Sequence, residues 1–151
     1  MTMKVMVLYP YPLEPDGLSL QGHYLVKGLK ELGGDVVSCD RVDNLKKVEL
    51  YESFKPDKVI GIGFWGNVPD LVKHPLEHGM IPVPWFNADG WVANYQDVLE
   101  ELPLIIANSE WVKSTYIRDG LSGKNIKVCG IGFDPKIFFP SEEKRKVTRE
   151  L

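Results

Sequence analysis

The chain has 151 residues, of which 44% are hydrophobic and 26% are charged, and its formal net charge is -3. These values are typical of one globular domain, long enough to fold without disulfides or a structural metal. The negative charge argues against broad binding of nucleic acids or anionic membranes, because both require a basic surface. We therefore expect no nucleic-acid partner.

The two cysteines, Cys39 and Cys129, have a spacing that indicates neither a disulfide framework nor a metal site. The apolar start of the chain is interrupted at Pro10 and Pro12, which is not the pattern of a signal peptide. No segment approaches the ~20 apolar residues of a membrane span. The sequence thus predicts a cytoplasmic protein with no transmembrane segment and no metal.

Short apolar runs alternate with helical patterns along the chain. The apolar runs are Lys4–Tyr9, Val36–Cys39, Lys58–Ile62, Ile81–Phe86, Leu104–Ala107 and Ile126–Ile131. The helical patterns are Leu18–Leu32, Leu45–Phe54, Val68–His78, Asn94–Leu102 and Glu110–Asp119. Short, nearly continuous apolar runs indicate strands that are buried on both faces, as in a parallel sheet.

This alternation predicts an α/β fold, a Rossmann-like three-layer α/β/α sandwich. We expect a mainly parallel sheet of six or seven strands in the order 3-2-1-4-5-6. In that order the reversal lies between the first and fourth strands, and ligands bind outside the carboxyl ends of the strands at this crevice. Two loops are therefore candidates for a binding site, Pro10–Leu18 after the first strand and Asn87–Tyr95 after the fourth.

The first loop brings Asp16 and Gly17 to the start of the first helix. Gly17 lets a ligand approach the backbone, and the free N–H groups of a helix start favour an anion such as phosphate. The alternative is that Asp16 only caps the helix and that Gly17 is only a turn residue. The sequence favours neither interpretation.

The second loop, FNADGWVANY, combines aromatic and polar side chains at a strand end. Aromatic faces stack on the C–H faces of sugars, and side chains such as Asn87 and Asp89 hydrogen-bond hydroxyl groups. The loop therefore suits a sugar site that includes Trp91. The alternative is that the aromatic residues cover the core and that the polar residues serve the turn.

The segment Gly61–Gly66, GIGFWG, fits the dinucleotide fingerprint G-x-G-x-x-G. It follows the third strand rather than the first, and Phe64 and Trp65 are bulky where a pyrophosphate would lie. We interpret it as a glycine-rich strand exit whose two aromatic residues face the cleft or a partner. A dinucleotide-dependent regulator is the weaker alternative.

The last third of the chain has a distinctive order of elements. The apolar run that ends at Ala107 is followed by a helix that Ser109 caps, and then by a second apolar run. A Gly-x-Asp turn at Gly132–Asp134 and a Phe-x-Pro ending at Phe138–Pro140 complete it. This succession resembles the end of the N-terminal domain of GT-B glycosyltransferases of the retaining family-4 type, where it leads into the interdomain hinge.

The resemblance implies that residues 1–140 are one acceptor-side domain and that 141–151 begin a linker or helix to a second domain that is absent here. In such enzymes the second domain binds most of the nucleotide-sugar donor, and no cofactor is needed. The implied reaction is sugar transfer to a hydroxyl acceptor with retention at the anomeric carbon. The chain alone is then inactive, and its exposed interdomain face favours dimers.

The resemblance also implies roles for residues of this sequence. The expected hinge positions are Gly132, Asp134, Phe138 and Pro140. The expected cleft wall comprises Asp16, Gly17, Phe64, Trp65, Asn87, Trp91, Ser109 and Glu110. Two positions of the expected cleft depart from the family: Asp16 replaces the first of two glycines, and Ala88 stands where a histidine is usual. In the ending, Gly130 and Ile131 replace the usual proline and asparagine. Asp89 is the carboxylate expected to take part of that histidine's catalytic role.

A second hypothesis belongs to another class of protein. The chain is then a non-catalytic module that uses a glycosyltransferase-like half-domain to bind a sugar, a nucleotide or a partner protein.

Overall fold

Six parallel strands form the centre of the computed structural model, which describes residues 2–141. The strands are β1 Lys4–Tyr9, β2 Asp35–Asp40, β3 Lys58–Gly63, β4 Pro82–Phe86, β5 Ile105–Ala107 and β6 Ile126–Val128. The α-helices are α1 Gly17–Glu31, α2 Asn44–Ser53, α3 His74–Glu77, α4 Gln96–Glu100 and α5 Glu110–Arg118. The predicted α/β class and parallel sheet are confirmed.

The third helical pattern is built differently from the others. A short 3₁₀ turn, Trp65–Asn67, precedes a π-helical turn, Pro69–Lys73, which continues directly into α3. Pro75 lies in the first turn of α3, directly after the wider π-helical turn, and the helical path continues through it. None of the helices within residues 2–141 has the length and apolar composition needed to cross a lipid bilayer.

The strand order is β2-β1-β3-β4-β5-β6, which differs from the expected 3-2-1-4-5-6 in the placement of the first three strands. β1 pairs with both β2 and β3. Its middle residues, Met6, Val7 and Leu8, are fully buried. β2 carries Ser38 and two aspartates and is only partly buried, which suits a strand at the edge of a sheet.

The alternation of β1 divides the core into two clusters on opposite faces of the sheet. Val5, Val7 and Tyr9 pack with Val26 of α1 in one cluster. Met6 and Leu8 belong to the other cluster, which includes Tyr51 of α2, Leu71 and Val72 of the π-helical turn, Leu99 of α4 and Val112 and Tyr116 of α5. Within residues 2–141, α1 thus lies on one face and the other α-helices lie on the opposite face.

Side chains cap the helices at the expected places. The Asp16 carboxylate accepts a hydrogen bond from the Ser19 N–H at 3.0 Å at the start of α1. The Ser109 hydroxyl accepts from the Val112 N–H at 3.1 Å at the start of α5. Gly33, with φ of +84°, ends α1 in the left-handed conformation that glycine adopts without strain. The linker or helix expected from residue 141 lies, apart from Ser141, outside the described residues.

The packing of α1 on β1 depends on Gly22. A Cβ atom at this position would lie 2.6 Å from the Tyr9 Cβ, closer than real Cβ contacts come. Gly28, two turns along the same helix, has no heavy atom within 4 Å of the corresponding position. The two glycines are therefore a matched pair, one at a tight contact and one in open space.

We predict that Gly22→Ala lowers the free energy of unfolding by ~1–3 kcal/mol, because the added methyl group overpacks the α1–β1 contact. Gly28→Ala should raise it by ~0.5–1 kcal/mol, because alanine is the better helix former. Urea unfolding of the two variants measures both effects. Equal stability changes in the two variants would contradict the proposed contact.

Candidate functional site

The strand order decides where the crevice lies. α1 leaves β1 toward one face of the sheet, whereas the chain leaves β3 toward the other face, where Leu71 and Val72 are buried. In an open parallel sheet the crevice forms where the direction of the connections reverses. The reversal here lies between β1 and β3, not between the first and fourth strands. The residues after β3, Phe64 and Trp65, therefore flank the crevice.

The loop after β1 is held by the side chain of Ser19, which is fully buried. Its hydroxyl donates to the Pro10 carbonyl at 2.6 Å and accepts from the Glu14 N–H at 2.9 Å. Asp16 already occupies one of the N–H groups at the helix start, so its role as a cap is established. A Cβ at Gly17 would meet nothing within 4 Å, so packing does not explain this glycine.

Packing does explain the glycines in the second half of β3. A Cβ at Gly61 would lie 2.8 Å from the Leu71 Cβ, and one at Gly63 would lie 2.9 Å from the Leu71 Cδ1. Both glycines thus let the π-helical turn approach the strand. The Asn67 side chain closes the exit by accepting from the Phe64 N–H at 3.2 Å and from Arg41 at 3.3 Å. This packing role favours a strand exit over a dinucleotide fingerprint.

Two predicted aromatic residues from different loops are in contact. The rings of Trp65 and Trp91 are 5.1 Å apart with an interplanar angle of 54°. Trp91 remains 54% exposed, and Phe64 is half-buried beside Trp65. The structure therefore places an exposed aromatic surface at the exits of β3 and β4. Such a surface can bind the C–H face of a sugar.

An amide pair links the exits of β4 and β5. Phe86 and Ala107 are paired in the sheet, so the next residues, Asn87 and Asn108, are neighbours. The Asn108 side-chain N–H₂ donates to the Asn87 side-chain carbonyl, and the Asn87 backbone N–H donates to the Gly63 carbonyl at 2.8 Å. Asn108 was not among the predicted site residues. The sequence feature that could have identified Asn108 is its position directly after a strand, which is equivalent to that of Asn87.

Tyr116 of α5 packs against the end of β4, next to Asn87. Its ring is stacked on Phe86 with centroids 5.6 Å apart, and its hydroxyl donates to the Asn87 carbonyl at 3.3 Å. Burial raises the pKa of the Tyr116 hydroxyl well above its ordinary value, and the Asp89 carboxylate raises it further. The hydroxyl therefore stays protonated and holds Asn87 in place. Asp89 itself, the expected catalytic residue, is exposed at this edge.

The second half of the β4 loop is anchored to α5 on both sides of Trp91. Arg118 donates to the Gly90 carbonyl at 2.7 Å, and the Asp119 carboxylate accepts from the Val92 N–H at 2.7 Å. Both anchors lie at the C-terminal end of α5, on the face opposite α1. The two predicted loops thus begin at one edge of the sheet, and the β4 loop is held by the helix on the face opposite α1.

The remaining predicted site residues lie farther from the crevice. Ser109 follows β5 and is engaged as the cap of α5, and Glu110 is exposed in the first turn of that helix. Both residues are at the carboxyl edge of the sheet, two strands from β3. Within residues 2–141, no group of three or more His, Cys, Asp or Glu side chains is arranged to hold a metal ion.

The segment after β6 is tied back to α1 through Asp134. Its carboxylate accepts from the Lys27 amine at 3.3 Å and from the Lys136 N–H at 2.8 Å. Phe138, one of the expected hinge residues, is 56% exposed, so burial of its side chain does not hold this segment. The Lys27–Asp134 ion pair supplies the anchor instead. Gly132 has open space around it, and Pro140 is exposed.

Comparison with solved structures shows the fold. The chain is similar to crystal structures of Anabaena Alr3699/HepE in complex with UDP and glucose (TM-score 0.63, 14% identity) and with UDP-glucose (TM-score 0.60, 14% identity). A third, in complex with UDP, has a TM-score of 0.56 and 12% identity. Each alignment covers 98–99% of this chain and 49% of the other, so the chain spans about half the length of that protein.

Sequence comparison adds nothing to this result. No protein-family model matches the chain, and no curated protein matches it significantly.

We predict that acid loosens the attachment of the β4 loop to α5. Hydrogen bonds from Arg118 and from the Val92 N–H lower the pKa of Asp119. A lowered pKa in the folded state stabilises the fold at pH values above the ordinary Asp pKa of ~3.9. This stabilisation is lost as the pH falls through the lowered value. Hydrogen exchange should show the protection factor of the Val92 amide falling on acidification.

Asp119→Ala should lower the same protection factor already at neutral pH. Asp97→Ala is the control, because Asp97 is an exposed carboxylate just beyond the loop. Equal protection of the Val92 amide in the two variants would contradict the role given to Asp119.

Proposed function

We propose that the chain is the N-terminal, acceptor-side half of a GT-B glycosyltransferase of the retaining family-4 type. It acts on a hydroxyl acceptor and a nucleotide-sugar donor, and it is inactive alone. The observation that carries the proposal is the alignment of nearly the whole chain with half of a protein whose crystal structure holds UDP and glucose. A half-length match of this kind is what one domain of a two-domain enzyme would give.

The carboxyl edge of the sheet supports a sugar as the ligand of this half. The Trp65–Trp91 pair offers carbon surface to a sugar ring, and the Asn87–Asn108 pair offers amide groups to hydroxyls at the next strand exits. We assign Asp89 to the reacting sugar, because it is the carboxylate that follows Asn87 at this edge. Its role is to stabilise positive charge at the anomeric carbon or to accept the acceptor's proton.

The charges at this edge support the division of labour between two halves. The candidate residues that carry a charge, Asp16, Asp89 and Glu110, are all acidic. A carboxylate beside a diphosphate is unfavourable in the absence of an intervening cation. Asp16 also satisfies a helix N–H that a phosphate would otherwise use. The donor's diphosphate is therefore assigned to the second half of the enzyme, as in the expected family.

The second candidate function is a sugar-binding module without catalysis. The position where the family has a histidine is Ala88, and a helix-capping carboxylate, Asp16, replaces the first family glycine. The first departure removes a catalytic side chain, the second adds a carboxylate where the family's backbone approaches the donor, and both leave the aromatic edge intact. Sugar transfer by a protein that contains both halves would support the enzyme. Sugar binding without transfer would support the module.

We expect the pure chain to release no UDP from UDP-glucose above the buffer blank, with or without a sugar acceptor. The reason is that half of the active site, including the cationic partner of the diphosphate, is missing. A coupled assay for UDP measures this directly. Sugar transfer by the 151-residue chain alone would refute the assignment of the donor site to a second half.

We expect Trp91→Ala to weaken binding of a disaccharide such as maltose by about two- to tenfold, the loss expected for one aromatic contact. Trp111→Ala is the matched control. Trp111 is 57% exposed, close to the 54% of Trp91, but it lies on α5, and no ring contact is found for it within residues 2–141. Calorimetric titration compares the variants. Equal losses in both would contradict an acceptor site at the Trp65–Trp91 pair.

A further inference from the structure

A small pocket lies between α1, β4 and the segment that follows β6. Its volume is about 150 Å³. The residues that line it are Gln21, Tyr24, Leu25, Trp85, Ile131 and Gly132. A cavity of ~150 Å³ accommodates one six-membered ring, as an engineered apolar cavity of that size binds benzene. The size of the pocket therefore fits a single ring.

The side chain of Gln21 enters this pocket from α1 and is unusual in having an unpaired amide. Gln21 is only 3% exposed, and its Nε2 atom has no hydrogen-bond partner within residues 2–141. Buried polar groups are almost always hydrogen-bonded, because burying one without a partner costs stability. An orphaned donor that lines a cavity indicates an acceptor atom that belongs to a ligand.

The opposite wall is formed by Trp85, which is 8% exposed. Its indole N–H already donates to the Cys129 carbonyl at 3.1 Å, so the ring offers the pocket only carbon surface. Leu25 and Ile131 add aliphatic surface. No Asp, Glu, Lys or Arg lines the pocket. A ligand here is therefore uncharged, has a face of C–H groups, and carries an oxygen that can accept from Gln21.

The pocket lies next to a larger groove along α1. Tyr24 and Gly132 line both spaces. The groove has a volume of about 370 Å³ and includes the Lys27–Asp134 ion pair. A ring in the pocket can thus be the end of a longer molecule that continues along the groove.

We propose that this pocket binds one neutral pyranose ring, with a hydroxyl oxygen accepting from Gln21 Nε2 and a C–H face against Trp85. The site follows from the cavity and the orphaned amide, whereas the choice of a sugar as the ring rests on the proposed function. The pocket lies on the α1 side of the sheet. It is therefore distinct from the Trp65–Trp91 surface, because Trp65 packs on the opposite face of the sheet.

The test is a ¹⁵N NMR titration of the 151-residue chain with methyl α-D-glucopyranoside. The side-chain N–H₂ of Gln21 and the indole N–H of Trp85 should shift in a saturable manner. Gln21→Met keeps the length of the side chain but removes the donor, and it should weaken binding about tenfold. The same variant should raise the Tm by ~2–4 °C, because an unpaired buried amide is removed.

Gln96→Met is the matched control, because Gln96 is the other glutamine of the chain. Its Nε2 atom donates to the Val92 carbonyl at 3.2 Å and to the Asp119 carbonyl at 3.1 Å. This variant should lower the Tm and leave the shifts at Gln21 and Trp85 unchanged. A merely structural role of Gln21 would not combine a raised Tm with weakened sugar binding.

Three outcomes would overturn the proposal. The first is no saturable shift at Gln21 in the unmodified chain, which would leave water as the partner of the amide. The second is equal affinity in Gln21→Met. The third is a response to cyclohexanol, a ring with one hydroxyl, without a response to the glucoside, since this would overturn the sugar assignment. UDP release and the Trp91 variant do not involve Gln21, so the proposed function can fail independently.

Discussion

The pairing of β1 with both β2 and β3 is the constraint on which the rest of the structure depends. The register of β1 is fixed by hydrogen bonds to a strand on each side, and its orientation is fixed by packing on both faces. Once β1 is fixed, α1 must cover one face on its way to β2, and the chain after β2 must return across the other face to reach β3. The reversal of direction between β1 and β3 follows, and with it the position of the crevice.

The two faces of the sheet are covered unequally, and the candidate sites reflect this. Four α-helices and the π-helical turn lie on one face, and only α1 lies on the other within residues 2–141. The segment after β6 crosses toward α1 and is held by the Lys27–Asp134 ion pair. A single helix beside an extended segment cannot fill the space above β4 as closely as two helices would. The pocket at Gln21 and Trp85 is the space that remains.

Much of the fold could be predicted from the sequence, because apolar runs and caps are local signals. β1 has the predicted bounds, and Ser109 caps α5 as its position indicated. The strand order could not be predicted in the same way, because an apolar run shows that a strand is buried but not which strands it pairs with. The polar residues of β2 were the available sign of an edge strand. Asn108 and Gln21 were missed because their importance depends on neighbours supplied by the fold.

The distribution of charged and neutral groups at the carboxyl edge of the sheet distinguishes this candidate site from a phosphate-binding site. Neutral amides and aromatic rings surround the strand exits, and the charged candidates there are carboxylates that extend into solvent or cap a helix. Arg41, a cation at this edge, is already engaged by the Asn67 side chain. Such an edge suits the neutral, hydroxyl-rich molecule of the proposed function, because no buried charge would have to lose its water. The start of α1 is a poor site for a diphosphate, because Asp16 already compensates the helix dipole there. The proposed function therefore requires that most of the positive charge facing the diphosphate comes from a second surface opposite this edge.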